Sequence, residues 1–72
     1  MQQKELKTMV DDGLLKSVLA VNKVAHWEVC VDDVDGGFSV IRTARGGKRE
    51  FKTLDAVKKM LDEVNVKSFT VC

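Results

Sequence analysis

The chain is 72 residues long, with 44% apolar and 32% charged residues, no proline and a formal net charge of +1. That composition excludes a disordered or low-complexity segment and leaves room for one domain, residues 1–72. A chain this short buries only about 60% of its unfolded surface, and its near-neutral charge selects no polyanionic partner by itself.

The first apolar series is Leu6, Met9, Val10, Leu14, Leu15, Val18, Leu19 and Val21. Its steps fit a helix with one buried stripe between Glu5 and Val21. Asp11-Asp12-Gly13 interrupts it, so the segment reads either as one helix with a soft centre or as two short helices, the second capped by Asp12. Asn22 reads as its stop.

Trp27, Val29 and Val31 then alternate with Glu28, Cys30 and Asp32, the pattern of a half-buried strand. Asp35-Gly36 favours a tight hairpin turn. A two-residue loop there, or a four-residue loop from Val34 to Gly37, pairs Val31 with Val40, Asp33 with Phe38 and Trp27 with Ala44. A second turn at Gly46-Gly47 sets Phe51 opposite Arg42 and gives a third strand over Lys48–Lys52. In that register Trp27, Val29, Val31, Phe38, Val40 and Phe51 share the core face. Glu28, Cys30, Ser39, Ile41 and Thr43 share a small, mostly polar open face.

Thr53 is a helix cap, and Leu54, Val57, Met60, Leu61 and Val64 form the buried stripe of the helix it starts. Asn65 suits the left-handed residue that ends a helix. Val66–Cys72 reads as a last strand with Phe69 and Val71 inward. The expected fold is α+β, in the order α-β-β-β-α-β, with one three- to four-stranded sheet and two helices packed on one face.

Two cysteines, Cys30 and Cys72, are too few for a disulfide framework. Met1–Glu5 lacks the apolar run of a signal peptide, and no apolar run approaches the roughly 20 residues of a membrane span. The expectation is a cytoplasmic protein with reduced thiols and no membrane partner.

Candidate chemistry fails residue by residue. In a strand, His26 and Cys30 lie about 13 Å apart at about 3.3 Å per residue, too far for a nucleophilic pair or shared metal ligation. A calcium loop with Gly36 at its sixth position would put Val31 and Arg42 where oxygen ligands belong. A phosphate loop ending at Lys48 would need glycine at Arg42 and a hydroxyl residue at Arg49. No enzyme activity, metal, cofactor or small-molecule substrate is expected.

What remains is charge. Asp32, Asp33 and Asp35 crowd the first turn, while Arg42, Arg45, Lys48, Arg49 and Lys52 crowd the second. Successive turns of a meander lie at opposite ends, so one end is negative and the other positive. Such runs are usually solvated surface. The functional alternative is a basic turn that neutralises nucleic-acid phosphates, DNA or RNA, through those five side chains. The competing reading is a homodimeric protein-interaction adaptor without nucleic acid, burying further apolar surface that includes Ile41 and using an edge strand.

The stretch Thr43-Ala44-Arg45-Gly46-Gly47-Lys48-Arg49-Glu50-Phe51-Lys52-Thr53-Leu54-Asp55-Ala56-Val57, followed by Leu61 and Phe69-Thr70-Val71, resembles small accessory proteins carried by bacterial plasmids and phages. The resemblance covers residues 38–72 and implies a mobile-element origin with a non-enzymatic accessory or regulatory role. The order of elements is also similar to that of double-stranded RNA-binding domains. Phe51-Lys52-Thr53-Leu54-Asp55 departs from that family's basic helix start, and a chain without proline lacks its Gly-Pro-His loop.

Overall fold

The computed structural model describes all of residues 1–72. Six elements follow in the order α1 (Gln3–Asp11), β1 (Leu15–Asn22), β2 (Trp27–Asp33), β3 (Phe38–Val40), α2 (Leu54–Glu63) and β4 (Thr70–Val71). This is the expected α+β order. The four strands form one mixed sheet in the order β3-β2-β1-β4, with β4 parallel to β1 and the other pairs antiparallel.

Both helices stop by the same local device. Asp11-Asp12-Gly13 is a terminus rather than a soft centre. Gly13 takes φ 71, its N–H donates to the Val10 carbonyl at 3.1 Å, and the Leu14 N–H donates to Met9 at 3.0 Å. At the end of α2, Asn65 takes φ 64, with Asn65 N–H to Asp62 at 3.1 Å and Val66 N–H to Leu61 at 2.9 Å. Each pair of bonds satisfies carbonyls that the last turn leaves free. At the start of α2, Thr53 Oγ1 accepts from the Ala56 N–H at 3.1 Å, as its sequence position suggests.

Three expectations are corrected. First, Leu15–Asn22 is a strand, not helix. It lies between β2 and β4, so the run Val18-Leu19-Ala20-Val21 packs apolar side chains on both faces. A short continuous apolar run cannot be told from a buried helix by its period alone.

Second, the hairpin register is shifted by one residue. Val40 pairs with Cys30, Ser39 with Val31 and Phe38 with Asp32. The cause is a three-residue loop, Val34-Asp35-Gly36. The Gly36 N–H donates to the Asp33 carbonyl at 3.1 Å, Gly36 takes φ 88, and the Asp33 N–H closes the loop on Gly37 at 2.9 Å. This is a type I turn followed by one left-handed residue, a standard three-residue hairpin. The Asp33 carboxylate reinforces it, accepting from the Asp35 N–H at 2.9 Å and the Gly37 N–H at 2.8 Å. The second turn repeats the form over Ala44-Arg45-Gly46, with Gly46 at φ 93 and the Thr43 N–H bonded to Gly47 at 2.8 Å. Arg42 therefore pairs with Lys48, not Phe51, and Phe51 bridges to Trp27. Residues 48–52 make these bridges without forming a regular strand.

Third, the last strand is only Thr70–Val71, and Val71 is exposed rather than inward.

A one-residue slip exchanges faces. Ile41, expected outside, is fully buried, whereas Val40 and Phe38 leave the core. The core joins Leu6 of α1, Val57, Met60 and Leu61 of α2, Val64 and Val66 beyond it, Val18, Ala20, Val29 and Val31 of the sheet, Ile41 and Phe51. Both helices pack on that one face. Each large aliphatic side chain so buried contributes about 1.5–3 kcal/mol relative to exposure.

Candidate interaction surfaces

Two surfaces outside the core are candidates: the basic hairpin and the face of the sheet that the helices do not cover.

The hairpin holds the five bases singled out in the sequence, but they do not act as one cluster. Arg42 is exposed and its Nη1 donates to the Gly46 carbonyl at 2.9 Å, bracing the turn. Lys48 Nζ lies 3.9 Å from Glu28 Oε1. Arg49 is half-buried, donates from Nη1 to Gln3 Oε1 at 2.6 Å, and holds its guanidinium 4.8 Å from the Phe51 ring centroid. Arg45 and Lys52 are exposed and make no side-chain hydrogen bond or ion pair. Sequence reasoning missed Lys4. The Met1 carbonyl accepts from the Arg42 N–H at 2.6 Å, and with the Gln3–Arg49 bond this lays the start of α1 beside the hairpin. Gln2, Gln3, Lys4, Arg42, Thr43, Ala44 and Arg49 line the resulting groove, about 360 Å³ in volume. No local pattern announces that contact, because it joins residues over 40 positions apart.

The open face is built by strand alternation. Its middle row is Val40, Cys30 and Leu19, paired in that order across β3, β2 and β1, with Thr70 beside Leu19. Phe38 and Asp32 stand one row towards the acidic turn, and Val21 and Glu28 one row towards the basic end. Leu19, Val21, Cys30 and Val40 are half-buried, Phe38 is 66% exposed, and none of them belongs to the core cluster. The face is therefore apolar at its centre, not small and polar as the expected register implied.

A polar cluster closes the face at its basic end. Glu28 is 7% exposed, the one charged residue among the buried set. His26 Nε2 lies 2.9 Å from Glu28 Oε2 and 3.9 Å from Glu50 Oε2. The His26 hydrogen bond holds the Glu28 carboxyl below the usual carboxylate range. Burial opposes this and the Lys48 charge supports it. Burial also pushes the Cys30 thiol up, and the Glu28 charge adds to that. His26 is thus a partner of Glu28, two residues away, rather than of Cys30.

Charge is polarised along the strands. Pairing of Leu15 with Asp33, and of the Val34 N–H with the Leu14 carbonyl at 2.9 Å, puts Asp11 and Asp12 at the same end of the sheet as Asp32, Asp33 and Asp35. The turn after β1 adds Lys23 to the end that holds Arg42, Arg45 and Lys48.

No group of three or more His, Cys, Asp or Glu side chains is placed to hold a metal ion. No helix is long and apolar enough to cross a membrane. Comparison with protein-family models, curated proteins and solved structures finds no match to this chain.

Proposed function

We propose that this chain is a non-enzymatic protein-interaction module that works as a homodimer through the open face of its sheet. The observation that carries the reading is the apolar row Leu19-Cys30-Val40 with Phe38 beside it, left uncovered while both helices occupy the other face. Contiguous exposed apolar surface rimmed by polar groups is the usual mark of a docking site. A second copy is the occupant. The acidic and basic ends make the face complementary to itself, and a chain with 13 of 72 residues buried gains much from a second layer.

Unfolding that is coupled to dissociation makes the melting temperature rise with protein concentration. A dilution series followed by circular dichroism is therefore expected to show falling melting temperatures. One melting temperature at every concentration overturns the proposal.

A second reading has its own support. Lys4, Arg42 and Arg49 around one groove, with Arg45 exposed at the tip, form a positive surface for nucleic-acid phosphates. Its test is a mobility shift with duplex and single-stranded DNA and RNA. Binding should weaken steeply with salt and be lost on Lys4→Glu with Arg45→Glu. An absence of binding at low salt refutes it. The resemblance to plasmid and phage accessory proteins suits either reading and adds the proposal of a mobile-element origin.

A further inference from the structure

The open face carries a direction as well as an apolar centre. We infer that two copies meet with their strands running in opposite directions, about a two-fold axis that lies in the interface and crosses the strands along the Leu19-Cys30-Val40 row. This arrangement rests on the homodimer reading above and specifies its partner geometry.

Sheets packed face to face sit about 10 Å apart and commonly keep their strands within about 30° of alignment. A two-fold axis then has two aligned choices. Along the strands, it sets like end over like end: Asp32, Asp33 and Asp35 share an end with the partner's acids, and Arg42 and Lys48 share the other with its bases. Across the strands, it sets the acidic turn of one copy over the basic hairpin of the other. Like charges facing each other in a water-excluding contact oppose association, and opposite charges set the register. The crossing axis is the one the charges allow.

Side chains on β3 and just beyond it agree. Phe38 and Arg42 lie equally far from Val40 on the same face, one on either side of the axis row. The crossing axis brings the exposed Phe38 ring of one copy over the Arg42 guanidinium of the other, a cation–π contact. Asp32 and Glu28 are equally far from Cys30 on β2, so the axis brings them together. Glu28 is already engaged by His26 at 2.9 Å and by Lys48 at 3.9 Å, and Lys48 is the more exposed of the latter pair, its side chain 54% accessible against 10%. The Asp32 carboxylate therefore meets a Glu28 already paired with His26 and with an exposed ammonium 3.9 Å away, rather than a bare carboxylate.

The test uses the full chain, with dimerisation read by sedimentation. Asp32→Arg and Arg42→Asp are each expected to weaken the dimer by about tenfold or more, and the double variant to recover part of that loss, the part carried by the Phe38–Arg42 contact staying lost. For the parent, rising salt should loosen the dimer, because screening removes attraction between opposite ends. The salt series needs no variant to fold. An axis along the strands predicts the contrary on both counts: single reversals with little effect, and a dimer that tightens as salt screens like charges. A dimer behaving that way, or a double variant that stays as weak as the single ones, overturns the arrangement alone. A parent that is monomeric at all concentrations overturns the homodimer reading beneath it.

Discussion

Val24 is 99% exposed and has φ 73, at the tip of the connection between β1 and β2. The Ala25 N–H donates to the Lys23 carbonyl at 2.8 Å, and the Val24 N–H donates to Asn22 Oδ1 at 2.8 Å. A β-branched residue in the left-handed region is strained by about 1–2 kcal/mol, and this one buries nothing in return. Val24→Gly is expected to raise unfolding stability by about 1 kcal/mol in urea titration, once the added freedom of the unfolded chain is subtracted. A loss of stability would mean that Val24 packs where it is seen to be solvated. Glu28 gives the residue-scale pH dependence. Its folded pKa lies below the ordinary 4.5, so the unfolded state binds more protons across the interval between the two values. The stability it supplies is complete above 4.5 and is lost as pH falls through the depressed value. Glu28→Gln should flatten the dependence of stability on pH in that window. An equal slope in parent and variant would remove the carboxylate from the account.

At the scale of elements, the register decides which side chains hold the fold. Ile41→Ala is expected to cost about 2–5 kcal/mol, the range for a buried aliphatic truncation, where the expected register would have left Ile41 on the surface. A change under about 1 kcal/mol would restore that register. The caps were legible in the sequence because they are local: Thr53 and Asn65 act within a few residues of themselves. The turns were not, because Asp35-Gly36 is compatible with loops of two, three or four residues, and the three-residue form shifts every pairing beyond it. A clue was present in the repeated spacing of Asp33-Val34-Asp35-Gly36-Gly37 and Thr43-Ala44-Arg45-Gly46-Gly47. In both, a residue that starts a turn is followed three positions later by a glycine free to take positive φ. β1 hid for a different reason: a strand covered on both edges and apolar on both faces loses the alternation that identifies strands. Phe51 reached the core as expected, although through a bridge to Trp27 rather than through pairing with Arg42.

For the whole molecule, the polarity of the two ends was readable from the turns, because a meander sends alternate connections to opposite ends. The partners that strengthen it, Asp11 and Asp12 at one end and Lys4 and Lys23 at the other, depend on how α1 and β1 are placed, which no short-range pattern reveals. The apolar open face was invisible for the same reason that the register was missed. Val40 and Phe38 were assigned inward, and Leu19 and Val21 were assigned to a helix. Once those four side chains share a face with Cys30, the uncovered side of the sheet has an apolar centre, and the basic hairpin becomes its rim. The direct measurement is sedimentation equilibrium on the parent and on Val40→Asp, with circular dichroism to confirm that both are folded. The parent should sediment at twice the 8.0 kDa chain mass. Val40→Asp, which puts a carboxylate at the centre of the face without touching the core, should sediment as the single chain. A parent that sediments at 8.0 kDa across the concentration range, or a Val40→Asp variant that stays dimeric, would contradict the assignment of the open face as the interface.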